Sequence, residues 1–108
     1  DVFHALFGPR VAARRARDVA VSRAVVRGWR RGRRSEAVVE LMDRFDVATG
    51  FTAMERTTGW HAAIVAGMIA RGEIPPGAHP VETGVPPARF VEEARKRGLS
   101  ITERVVGG

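Results

Sequence analysis

The polar residues of this chain that could do chemistry are concentrated in one short stretch, immediately before and within the most apolar run of the sequence. They are Thr52, Glu55, Arg56, Thr57, Thr58 and His61. An arginine flanked by hydroxyl donors can bind a substrate carboxylate if a cleft opens beside it. A histidine could act as a general base there, but His61 stands among apolar neighbours, so we expect it to pack against them.

A second interpretation assigns the same residues to the helix that follows. The helix either begins at Thr52 or breaks and restarts with Thr57 or Thr58 as its N-cap, and the glutamate of the cluster complements the helix dipole. Arg56 then pairs with a nearby acid such as Asp43 or Asp46. The residue types alone leave both interpretations open.

The remaining residues exclude several classes of function. None of the twelve glycines falls in a Gly-x-Gly-x-x-Gly or Gly-x-x-x-x-Gly-Lys pattern, so the chain has no nucleotide-binding fingerprint. It has no cysteine, and its three histidines lack the spacing of metal ligands, so we expect no metal site. No serine lies in a nucleophile-elbow pattern, which argues against a serine hydrolase.

The size and hydropathy of the chain predict a single domain over residues 1–108, because 108 residues with 44% hydrophobic content suffice for one small core. We expect a cytoplasmic protein with no membrane partner, since no signal peptide and no apolar run of about 20 residues is visible. The chain begins at Asp1 without methionine, which indicates a fragment or a processed product.

The basic residues are unevenly distributed. The formal charge is +6, and ten of the eighteen basic residues lie between Arg10 and Arg34, opposed there only by Asp18. Such a patch can bind phosphates by releasing counterions. Arginine used almost to the exclusion of lysine is also typical of a GC-rich coding sequence. We therefore expect a solvated or partner-facing surface rather than nucleic-acid binding.

Hydropathy periods and turn residues predict the elements that position the polar cluster. They are a short helix over 2–7, strands over 18–29 and 35–45 joined by a basic turn, a helix over 51–71, a loop over 74–83 with at most a short edge strand within 78–82, a helix from 86 to 98, and a final strand over 99–105.

This order predicts an α+β fold. Its sheet is mostly antiparallel and contains a long β-hairpin. The helix over 51–71 is apolar almost all round, so we expect a central helix buried on every side. The small residues Gly59, Ala63 and Gly67 recur on it every four positions, which favours close packing against another element. The later helix is amphipathic.

The same region resembles the saccharopine dehydrogenase family, which includes saccharopine reductases and lysine 6-dehydrogenase-like enzymes. The likeness covers residues 18–106, and its most specific part is Thr-Ala-Met-Glu-Arg-Thr-Thr-Gly followed by a helix of small residues. The matching stretches are 41–46, 49–60, 62–66, 70–74, 90–93, 97–99 and 103–106. Glu55 and His61 depart from the family, which often has a small residue and a proline there.

The resemblance implies a two-domain oxidoreductase. A Rossmann domain upstream of Asp1 would bind NAD or NADP, and this chain would be the C-terminal α+β region that holds an amino-acid substrate and forms a homodimer. Arg56, Thr57 and Thr58 would orient the substrate carboxylates during hydride transfer at the carbon that bears the amine. No cofactor would bind to this chain alone, so we expect the isolated 108 residues to be inactive.

Two other functions stay open. The chain could be a stand-alone basic module that binds nucleic acid or another partner through the hairpin of the Arg10 to Arg34 segment. Such a phosphate binder would lose affinity steeply with salt. Alternatively, the chain could be a purely structural dimer in which the free hairpin edge adds a strand across a two-fold axis.

Overall fold

The computed structural model describes residues 17–107 together with Val2, Ala5, Leu6 and Gly8. The rest of the predicted helix over 2–7, and the arginines of the basic segment before Arg17, lie outside the described residues. The elements within 17–107 are β1 (Val19–Arg30), β2 (Arg33–Arg44), α1 (Ala53–Ala70), α2 (Val81–Gly84), α3 (Pro87–Lys96) and β3 (Ser100–Val106). The predicted α+β class is confirmed.

The three strands form an antiparallel sheet in the order β1-β2-β3. A two-residue turn, Arg31 and Gly32, joins β1 to β2, and both residues have positive φ, of 50° and 76°. Two positive φ angles are the signature of the type I′ turn, whose twist matches that of the strands it joins. The glycine satisfies this geometry without strain, and the predicted hairpin with a basic tip is confirmed.

The core lies between one end of the sheet and the two longer helices. Leu41 of β2 stands opposite Ile101 of β3, and both face the helical layer. The fully buried members of the cluster are Ile64, Met68, Ala94, Leu99 and Ile101. The hairpin extends beyond this core. Val25, Val26 and Trp29 of β1 are consequently 42%, 65% and 74% exposed.

The prediction that α1 is buried on every side is wrong for this chain. Only Ala53, Ile64 and Met68 of the helix are buried. Met54 and Ile69 are 66% and 57% exposed. The sheet and α3 cover one side of α1, and no described residue forms a second layer over the other side. The apolar periodicity identified residues that can be buried but not whether a partner is present.

The short edge strand that the sequence allowed within 78–82 does not form. The segment instead forms the single turn α2, in which the backbone N–H groups of Thr83 and Gly84 donate to the carbonyl of Pro80. Proline has a φ fixed near −65° and no N–H for a strand ladder. These properties favour a helical turn directly after Pro80.

Candidate functional site

The polar cluster lies at the N-terminus of α1, and Thr52 is the N-cap of this helix. The Thr52 hydroxyl oxygen accepts from the backbone N–H of Glu55 at 3.1 Å, and the Glu55 carboxylate accepts from the Thr52 N–H at 2.8 Å. This reciprocal pair is a capping box. The alternative in which Thr57 or Thr58 caps the helix is therefore wrong. The Thr-x-x-Glu spacing was the sequence signal for the correct cap.

Asp18 provides a second cap from a distant part of the chain. Its carboxylate accepts from the backbone N–H of Ala53 at 2.6 Å and of Met54 at 3.0 Å. The hydrogen bond from Ala53 makes the largest contribution to lowering the pKa of Asp18 below its usual value, and the bond from Met54 adds to it. Desolvation of the carboxylate acts in the opposite direction but is outweighed. Sequence reasoning did not find this role, because Asp18 precedes the helix by more than thirty residues and only the tertiary fold brings the two together.

The first turn of α1 consequently has no free amide. Asp18 takes two of its N–H groups and Thr52 takes the third, while the Arg56 N–H donates to the Thr52 carbonyl at 2.9 Å. A helix N-terminus can bind phosphate or carboxylate only through unoccupied N–H groups. This end of the helix is therefore not available as an anion site.

The Arg56 side chain bridges two carboxylates of β2 and the loop that follows. Its Nε donates to Asp43 Oδ2 at 2.8 Å and its Nη2 reaches Asp43 Oδ1 at 3.4 Å, while Nη1 donates to Asp46 Oδ2 at 3.2 Å. Arg56 and Asp43 are only 13% and 7% exposed, whereas Asp46 is 27% exposed. The expected pairing of Arg56 with Asp43 or Asp46 is confirmed, and both acids take part.

The charges of this network reinforce one another. The hydrogen bond to Asp43 raises the pKa of Arg56, against the opposing effect of desolvation. The Thr49 hydroxyl and the Ala48 N–H donate to Asp46 at 2.7 and 3.0 Å, and these bonds, with the attraction of Arg56, lower the pKa of Asp46. The network ties the end of β2 to α1.

The three predicted substrate contacts are neighbours in sequence but do not converge in space. Successive helical residues point about 100° apart. Arg56 faces Asp43 and Asp46, whereas the Thr57 hydroxyl donates back to the Ala53 carbonyl at 2.8 Å. Thr58 is exposed, and its hydroxyl contacts only Met54 Sδ, at 3.7 Å.

His61 lies one turn further along α1 and is exposed. Its ring meets the edge of Phe90, with 5.2 Å between the ring centroids and an angle of 64° between the planes. The contact joins α1 to α3. It is a packing contact of the kind expected from the sequence.

A shallow apolar groove of about 280 Å³ runs along α1 beside Arg56. It is lined by Phe51, Glu55, Arg56, Gly59, Trp60 and Ala63. Gly59 has open space where a side chain would begin, so the helix backbone forms part of the groove floor. The prediction that the small-residue strip of α1 packs closely against another element is therefore wrong for Gly59 and Ala63, which line this open groove. Polar groups lie at one end of the groove.

The electrostatics of that end favour a cation. Asp43 and Asp46 bind the guanidinium of Arg56, and two more carboxylates, Asp18 and Glu55, accept from backbone amides at the start of the same helix. A further carboxylate would meet this excess of negative charge, whereas a protonated amine would be attracted to it. A carboxylate ligand would have to replace one of the acids that Arg56 already holds.

No group of three or more histidine and acidic side chains in the described part of the chain is placed to hold a metal ion. Within residues 17–107 no helix is both long and apolar enough to cross a membrane.

No protein-family model matches this chain, and no solved structure matches it significantly. The resemblance to the saccharopine dehydrogenase family therefore stays a prediction. It is carried by the motif residues of the α1 N-terminus and the segments around them.

Proposed function

We propose that this chain is the C-terminal substrate-binding and dimerisation region of a cytoplasmic, NAD(P)-dependent oxidoreductase of the saccharopine dehydrogenase type. The enzyme would act on the carbon–nitrogen centre of an amino acid. One observation carries the proposal: the motif over 52–59 starts a helix whose uncovered side forms an apolar groove next to an ionised arginine. This is the surface that a second domain and a substrate would need.

The substrate amine and its carboxylate would bind at different points of this site. The acidic surroundings of Arg56 attract the ammonium group. Asp46 is more exposed than Asp43 and is held by a single arginine nitrogen, so it is the acid that a substrate carboxylate would replace. Arg56 would keep Asp43 through its other two nitrogens and present Nη1 to the substrate.

The two threonines would have separate roles. The exposed hydroxyl of Thr58 contacts only Met54 Sδ and points away from Arg56 around α1. It would therefore donate to the far end of a substrate that extends across the N-terminus of the helix. Thr57 would act as a positioning residue, because its hydroxyl is bound to the helix backbone one turn earlier. This bond fixes the turn of α1 that carries Arg56.

NAD or NADP supplies the hydride chemistry in this proposal, and it would be held by a Rossmann domain outside the chain. The residues of this chain bind and orient the amino acid. We therefore expect no oxidation of NAD(P)H by the purified 108-residue chain, and turnover by that chain alone would contradict the assignment.

The experiment that tests the function uses the product of the complete reading frame that contains this chain. It is incubated with NAD or NADP and a panel of primary and secondary amino-acid amines, and NAD(P)H absorbance is followed. We expect turnover with at least one amine. Substituting Thr58→Val should raise KM for that amine about tenfold, the effect of losing roughly 1.4 kcal/mol of hydrogen bonding.

The matched control is Thr102→Val, which removes an exposed hydroxyl from β3 and should leave KM unchanged. Absence of amine-dependent turnover across the panel with both cofactors would refute the oxidoreductase assignment. Equal effects of the two threonine substitutions would refute the placement of the substrate at Thr58.

The dimer would form through the uncovered side of α1 next to the groove, where Ala62, Ala66 and Ile69 are exposed. Sedimentation should show a dimer of the chain, and Ala66→Glu should convert it to a monomer by placing a charge in the interface. A dimer that survives this substitution would favour pairing through the free edge of β1. A monomeric wild-type chain would refute both arrangements.

A further inference from the structure

The arginines at the hairpin tip differ from most other basic residues of the described chain, because no acid is paired with them. They are Arg30, Arg31, Arg33 and Arg34. Further down the hairpin, Arg27 pairs with Glu36 at 2.8 Å and Arg23 with Glu40 at 3.5 Å. The tip therefore carries a charge of +4 that the described residues do not compensate.

The strand register makes this charge unfavourable for folding. Arg30 stands directly opposite Arg33 at the closing pair of the hairpin. Like charges at directly opposed positions destabilise an antiparallel pair. The same register places Glu36 opposite Arg27 and Glu40 opposite Arg23, so the arginines in the middle of the hairpin have acidic partners, whereas those at its tip do not. An anion from outside the chain would relieve the repulsion.

An exposed tryptophan lies beside these charges. Trp29 is 74% exposed and stands opposite Arg34 on the same face of the hairpin. Both line an open groove of about 490 Å³, together with Arg27, Gly28, Ser35, Glu36 and Val106. Gly28 has open space where a side chain would begin, so a flat ligand can approach the indole ring along the strand.

From this juxtaposition we propose that the hairpin tip binds single-stranded nucleic acid, with Trp29 stacked on a base and Arg34 on a phosphate beside it. Arg30, Arg31 and Arg33 would bind further backbone phosphates where the strand passes around the end of the hairpin. Single-strand binders combine a positive groove with aromatic stacking in this way. A duplex would offer the same phosphates but no free base face to the indole. The inference does not depend on the proposed oxidoreductase function. The tip lies at one end of β2, whereas Arg56 contacts Asp43 at the other end of that strand.

The test measures binding of the 108-residue chain to a labelled oligo-dT of about 12 nucleotides, within the range of known single-strand sites. Fluorescence anisotropy is followed as salt rises from about 50 to 200 mM. Four phosphate contacts on a single strand predict a slope of log affinity against log salt of about −2.8, which is roughly a 50-fold loss over this range. Trp29 fluorescence should be quenched on binding.

Two variants with the same change in net charge separate the tip from the general charge of the protein. Arg30→Gln with Arg33→Gln should reduce the slope to about −1.4, or roughly a sevenfold loss over the same range. The control, Arg71→Gln with Arg89→Gln, removes two exposed arginines of the helical layer. It should leave the slope unchanged. Circular dichroism verifies that each variant is folded.

Trp29→Leu tests the stacking contact. It should weaken oligo-dT binding about tenfold while keeping the salt slope, since stacking on an aromatic contributes roughly 1–3 kcal/mol per base. Binding that is insensitive to salt, or weakened equally by the two double variants, would overturn the proposal. So would equal affinity for a duplex of the same length, or displacement of the oligonucleotide by polyglutamate at the same charge concentration.

Discussion

Replacing the buried guanidinium between Asp43 and Asp46 should destabilise the whole domain. The substitution Arg56→Met keeps most of the apolar volume of the side chain and removes its charge. Asp43, only 7% exposed, then loses the cation that holds both of its oxygens, and Asp46 loses one of its partners. Two carboxylates are left facing each other at the junction of β2 and α1.

The expected cost follows from the burial of the pair. Removing one partner of a buried ion pair costs about 3–5 kcal/mol. Arg56 retains 13% exposure, so we expect the lower end, about 3 kcal/mol. For a domain of this size, the loss lowers the unfolding temperature by about 12 °C or more. It is a large part of a total stability of about 5–15 kcal/mol.

Urea unfolding followed by circular dichroism at neutral pH measures this loss directly. The control Arg23→Met removes an arginine that is 51% exposed and paired, among the described residues, only with Glu40, and it should leave the midpoint almost unchanged. Combining Arg56→Met with Asp43→Leu should recover most of the loss, because apolar residues can replace a buried ion pair at little cost.

The pH dependence provides an independent measurement. The hydrogen bond from Thr49 and, to a smaller extent, the attraction of Arg56 lower the pKa of Asp46 in the folded wild type. The stability from this ionised carboxylate is present above the unfolded pKa and is lost as pH falls through the folded one. In Arg56→Met, the part that Arg56 contributes is absent at every pH. The stability difference between the two proteins should therefore shrink in acid. A loss below about 1 kcal/mol that does not vary with pH, as for a surface pair, would refute the role given to this network.

Three further predictions concern the remaining elements. The hydrogen bond from Arg97 lowers the pKa of Glu93 to about 2, so the thermal stability of the wild type should fall as pH drops from 4.5 towards 2. Glu93→Gln should flatten that fall. An unchanged pH profile in the variant would contradict this role of Glu93. Thr52→Ala should cost about 1 kcal/mol in urea unfolding through loss of the capping box, and a neutral result would exclude Thr52 as the cap. Gly59→Ala should stabilise the chain by up to about 1 kcal/mol, because the position is helical and open. Gly84→Ala should destabilise it by about 1–3 kcal/mol, because the new Cβ would lie 2.6 Å from His79 Cβ. The reverse order of the two variants in thermal melts would contradict this packing.

Part of the candidate site could be predicted from neighbouring residues alone. The Thr-x-x-Glu spacing at Thr52 indicates a capping box, and the acids at the end of β2 are within reach of Arg56 once the chain turns into α1. Both features act over short sequence distances. Which acid holds which nitrogen depended on the angle between β2 and α1, which no local pattern specifies.

The sequence by itself determined the strands, the turn and the two longer helices. β-Branched alternation, a glycine at the hairpin tip and proline at the start of α3 act on the backbone within a few residues, so their effect is independent of the rest of the fold. The boundaries predicted from these signals lie within two residues of those observed for β1, β2 and α1.

Only the tertiary structure decided how these elements use their side chains. Asp18 caps a helix that begins 35 residues later, and this contact exists because the chain returns to the start of β1. The apolar residues on the far side of α1 look like a core in the sequence, yet they are exposed because no described residue covers them. Burial and capping depend on partners that are distant along the chain, whereas helix and strand formation depend on neighbours.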